Sequence, residues 1–123
     1  MRWLLHGQLS PSVAEALGRH EQIATVAEAD LSADRVFEAA RKQQLEVMTA
    51  DAALAESLFT GDAAGFQRLV VHLNVDPGEV EQDDAVDRLF ARYKRLVPGR
   101  LYTVTATRVK VRQLPTARKL AKS

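Results

Sequence analysis

Residues 68–73 read Arg68-Leu69-Val70-Val71-His72-Leu73, an almost unbroken apolar run. A strand that is apolar at successive rather than alternate positions must be covered on both faces, so this stretch is suited to the centre of a sheet. Working back from it, Leu45-Glu46-Val47-Met48-Thr49 reads as a strand, and Ser32 as the cap of a helix running through Val36, Phe37, Ala39 and Ala40 to about Gln43. Gln22-Ile23-Ala24-Thr25-Val26 is a further strand. Trp3-Leu4-Leu5 is the first, leading into Ser10-Pro11, where Ser caps a helix and Pro suits its first turn, with Gly18 as the stop. The order β-α-β-α-β predicts a parallel sheet with right-handed crossovers.

Towards the C-terminus, Ala52 to Phe59 reads as a short helix and a second is expected near Asp62. Beyond the central run, Asp76 as cap, Pro77 at the first position and Glu79 two residues later predict a helix start. Val86, Leu89, Phe90, Tyr93, Leu96 and Val97 mark its apolar face, giving a long helix from about Pro77 to Val97 that Pro98-Gly99 ends. The alternation of Leu101, Thr103 and Thr105 with Tyr102, Val104 and Ala106, followed by Val109-Lys110-Val111-Arg112, predicts a β-hairpin. The expected fold class is therefore α/β: a mainly parallel sheet with helices on both faces and a C-terminal β-hairpin. Residues 1–115 form the domain and 116–123 a basic, flexible tail.

The chain has 123 residues, enough for one domain that buries about two-thirds of its unfolded surface. Hydrophobic residues at 46% and charged residues at 27% are globular values. No apolar run approaches a membrane span, and Met1-Arg2-Trp3-Leu4-Leu5 stops at His6-Gly7-Gln8, short of a signal peptide's apolar stretch. The expectation is a cytosolic protein with no membrane partner. There is no cysteine, which excludes disulfides, thiol nucleophiles and thiolate zinc sites. Charge is unevenly placed: residues 1–98 carry ten Lys/Arg against sixteen Asp/Glu, residues 99–123 seven against none. That basic end, with Arg108, Lys110 and Arg112 on the hairpin, suits a phosphate backbone or an acidic partner, and equally a solvated face and frayed tail.

The first strand running into Leu9-Ser10-Pro11, the third ending Val47-Met48-Thr49-Ala50-Asp51, and the terminal Gly99-Arg100-Leu101 strand followed by Arg108-Val109-Lys110-Val111-Arg112 resemble the small PIN-like proteins. The similarity covers nearly the whole chain, to about Pro115. It implies a relationship to the PIN ribonucleases of toxin–antitoxin systems and to a bacterial C-terminal ribonuclease-like domain, in which acidic residues at strand C-termini hold Mg²⁺ or Mn²⁺. It further implies RNA as substrate, an acidic antitoxin-like protein as partner and, for a fold of this size, a homodimer. Where the family carries Asp-Glu-Asn-Leu-x-Pro, this chain has His6-Gly7-Gln8-Leu9-Ser10-Pro11. The family's second acid falls on Ala33, with Asp34 one residue late, and of Thr-x-Asp-x-Asp-Phe only Asp51 is in register in Thr49-Ala50-Asp51-Ala52-Ala53-Leu54.

On that resemblance the candidate catalytic residues are Asp51 and Asp34, and the candidate metal ligands Asp51, Asp34 and His6. Each has a second reading. Asp51 suits a metal at a strand mouth or the N-cap of the helix from Ala52. His6 is a ligand that prefers Mn²⁺, Zn²⁺ or Ni²⁺ to Mg²⁺, or a hydrogen-bonding histidine at a strand end. Asp34 answers the dipole of its own helix, and Glu38, one turn on, is either its partner or part of a solvated face. Two functions follow: a divalent-metal-dependent ribonuclease with an eroded site, or a catalytically inactive module that binds RNA or a protein.

Overall fold

The computed structural model describes residues 1–26, 32–60 and 66–115, with the side chain of Ala33 excepted. In chain order the elements are β1 (Arg2–His6), α1 (Ser12–Arg19), β2 (Ile23–Val26), α2 (Ala33–Gln43), β3 (Glu46–Thr49), α3 (Ala52–Thr60), β4 (Val70–Leu73), α4 (Glu79–Arg92), β5 (Arg100–Val104) and β6 (Val109–Gln113). The strands form one six-stranded sheet in the order β2-β1-β3-β4-β5-β6. All neighbours pair in parallel except β5 and β6, which form the antiparallel hairpin. The α/β order, the parallel pairing of Trp3 to Leu5 with the strand of Val47 to Thr49, and the central place of residues 70–73 agree with the sequence.

Register sorts the core. Leu5, Met48, Val71 and Tyr102 lie level across β1, β3, β4 and β5 and join a cluster with Val13, Ala16 and Leu17 of α1 and Ala85, Val86 and Leu89 of α4. One residue earlier, Leu4, Val47, Val70 and Leu101 are level and join a second cluster with Val36, Phe37 and Ala40 of α2 and Leu54, Ala55 and Leu58 of α3. Successive strand residues point to opposite sides, which explains why both β3 and β4 are buried at every position. Glu46, in the otherwise apolar β3, is buried because Arg68 donates to its Oε2 at 2.9 Å and the Leu69 N–H to its Oε1 at 3.3 Å.

Several boundaries differ from expectation. α4 spans Glu79–Arg92 rather than Pro77 to Val97: its N-cap is extended Gly78, so Asp76 and Pro77 precede it. At the other end Tyr93 is extended and meets Tyr102 edge-on, ring centroids 5.2 Å apart, while the Val97 N–H donates to the Tyr102 hydroxyl at 3.0 Å. Leaving the helix is what buries Leu96 while Val97 stays exposed. Gly18 lies inside α1, and the left-handed residue after that helix is Glu21. Pro11, not Ser10, is the N-cap position, although Ser10 Oγ accepts the Ser12 N–H at 3.3 Å. The helix expected near Asp62 and the tail 116–123 lie outside the described residues. No helix among the described residues is long and apolar enough to cross a membrane.

Candidate functional site

With the order β2-β1-β3-β4, the connections from β1 and β3 leave their C-terminal ends in diverging directions, opening a crevice between them. A cleft of about 480 Å³ lies there, lined by Gly7 and Gln8 after β1, Ala50, Asp51 and Ala52 after β3, Val75 and Pro77 after β4, and Gln82 of α4. Two residues shape it. Gly7 has φ of +84°, and a Cβ there would lie 3.2 Å from Thr49 Oγ1 and 3.4 Å from the Asp51 nitrogen, so only glycine lets the β1 exit pass so close to the β3 turn. Gln82 is fully buried: its Oε1 accepts the Ser10 N–H at 2.6 Å and its Nε2 donates to the Gln8 carbonyl at 2.9 Å, clamping the β1–α1 loop to α4.

Immediately beyond the apolar levels of the sheet runs a polar one. His6, Thr49, His72, Thr103 and Lys110 are register partners in succession across β1, β3, β4, β5 and β6, on the side of the second core cluster. Thr49 is fully buried and its Oγ1 lies 3.2 Å from His6 Nδ1 while accepting the Asp51 N–H at 2.9 Å. His72 is buried, and desolvation holds its pKa below the ordinary 6.5, with the carboxylates of Asp51 and Glu56 pulling the other way.

The sequence candidates sort unevenly. His6 and Asp51 come to the same end of adjacent strands and share Thr49 as a neighbour. Asp51 is exposed and caps α3, its Oδ1 accepting the Ala53 N–H at 2.9 Å. Asp34 is exposed in the first turn of α2 and makes no hydrogen bond or ion pair among the described residues. Glu38 faces Lys42, whose Nζ is 3.9 Å away, an i, i+4 pair on a solvated surface. Arg108, Lys110 and Arg112 are exposed, and Arg112 sits over the ring of Phe59, its guanidinium carbon 3.8 Å from the centroid.

No family model, curated protein or solved structure matches this chain. The chemistry of the site therefore rests on its own donors. A Mg²⁺ or Mn²⁺ ion wants several oxygen ligands. Among the described residues no three His, Asp or Glu side chains are grouped to hold an ion, and one Asp51 oxygen already serves its helix. The described donors do not fit the ion that the resemblance implies.

Sequence reasoning missed His72, Gln82 and the Phe59–Arg112 contact. His72 stood in a run read as apolar, and only the strand register sets it beside Thr49. Nothing local links Gln82 to Gln8 or Phe59 to Arg112. Each pair is made by tertiary packing.

Proposed function

We propose that the chain is a PIN-like domain that binds RNA through its C-terminal hairpin without metal-dependent cleavage. Two core clusters, one with α1 and α4 and one with α2 and α3, support the three-layer arrangement with helices on both faces of the sheet. The observation that carries the function is a contrast in how charge is used. Asp51, the one acid in register with the family, caps α3, whereas Arg108, Lys110 and Arg112 are exposed and enter no ion pair among the described residues. Exposed cations on the edge strand β6 and in the turn before it can neutralise phosphates and release their counterions.

The test uses purified protein with labelled RNA, Mg²⁺ or Mn²⁺ in turn, and two variants, Asp51→Ala and the triple Arg108→Ala/Lys110→Ala/Arg112→Ala. Binding that weakens steeply with salt, is lost in the triple variant and leaves the RNA intact is the expected result. Robust Mg²⁺-dependent cleavage abolished by Asp51→Ala would restore the ribonuclease. Absence of RNA binding, with the same cations retaining an acidic protein, would replace RNA by the antitoxin-like partner.

A further inference from the structure

Charge alone does not account for the geometry at the α3–β6 junction. The Arg112 guanidinium carbon lies over the Phe59 ring, 3.8 Å from its centroid, the close approach of a cation to an aromatic face. Phe59 is itself fixed, packed against the second core cluster near the end of α3. The guanidinium is thus in contact with the Phe59 ring on one side, while Arg112 as a residue remains exposed. Lys110 stands two residues earlier on the same side of β6, level with the half-buried Thr103. Glu56, one turn before Phe59 on α3, acts on His72.

We propose that Phe59 and Arg112 form a stacking platform for one base of a single-stranded RNA, with Lys110 taking an adjacent phosphate. The proposal rests on the RNA-binding reading above and names the form of RNA. A base reaches a guanidinium plane only when it is unstacked from its neighbours, as in single strands, loops and ends, whereas a duplex presents backbone. The ring beneath Arg112 holds the plane in place before the base arrives, so less side-chain freedom is lost on binding.

Fluorescence anisotropy with an unstructured mixed-sequence RNA strand, and with the same strand in a duplex, tests the platform in the full chain. Arg112→Lys keeps the charge and removes the plane; it is expected to weaken single-strand binding about tenfold, the scale of one lost base stack, and duplex binding by clearly less, with little change in the salt slope. Phe59→Leu is expected to act in the same direction, with circular dichroism checking its fold. Lys110→Ala should weaken both RNAs and lower the single-strand salt slope by about 0.7. If the wild type binds RNA and the triple variant does not, yet Arg112→Lys and Phe59→Leu bind like wild type, the platform is overturned and RNA binding stands. Equal wild-type affinity for strand and duplex also overturns it. If the wild type binds neither RNA, the RNA-binding reading falls and takes the platform with it.

Discussion

The mouth of the sheet and its β6 edge divide the attributes of a binding site between them. The mouth has shape: a cleft of about 480 Å³ between diverging connections, with its loops clamped by Gln82 and its close approach permitted by Gly7. Its charged wall is a carboxylate turned to its own helix. The edge offers Lys110 and Arg112 to solvent, the latter in contact with the ring of Phe59. Position in a topology creates a cavity from backbone directions alone, whereas affinity for a charged ligand depends on which side chains are left without an internal partner. Substitutions at the mouth should accordingly alter stability, and those at the edge ligand affinity.

The largest stability effect is expected from Gln82→Leu. It leaves the Ser10 N–H and the Gln8 carbonyl, both part-buried, without their partner, at a cost of roughly 2–3 kcal/mol in denaturant unfolding, since a fully buried group left unpaired costs about 1–3 kcal/mol and these two are partly wet. RNA affinity per folded molecule should not change; a parallel loss of binding would break the division between mouth and edge. Gly7→Ala comes next, at about 1–3 kcal/mol, because it places a side chain in the left-handed region and against Thr49 Oγ1. Unfolding midpoints of the two variants give the order directly.

Asp51→Ala removes the α3 cap and is expected to cost about 1 kcal/mol. A larger effect on RNA binding than on stability would count against the proposed RNA site at the edge and favour one at the mouth. Lys110→Ala should leave stability within about 0.5 kcal/mol of wild type, as surface changes do, while weakening RNA binding.

The smallest effect concerns pH. Burial lowers the pKa of His72 in the folded chain below the unfolded 6.5, so the unfolded chain binds more protons in the window below that value. The stability associated with neutral His72 is present above pH 6.5 and is lost as pH falls through its folded pKa. His72→Gln should flatten the fall in melting temperature between neutral and mildly acidic pH. A variant that falls as steeply as wild type would assign the pH dependence to other groups.

The sequence by itself determined the α/β order, the parallel sheet, the central strand and the terminal hairpin. These follow from short-range properties: apolar runs of strand length, periodic helix faces and turn residues at their ends. It also placed Asp51 at a helix start, where capping is a local bond to Ala53. Tertiary structure alone decided where α4 stops, because the contact of Tyr93 with Tyr102 and the Val97 bond to the Tyr102 hydroxyl outweigh a pattern that favours continuing the helix. It alone decided that His6, Thr49, His72, Thr103 and Lys110 form one level, since strand register is set by pairing and not by any residue's neighbours in sequence. The same holds for Gln82 against Gln8 and Arg112 against Phe59. Contacts between residues distant in the chain exist only once the core has fixed the distances between elements, and so the cleft becomes visible only in the folded chain, whereas the basic residues of the hairpin are legible in the sequence.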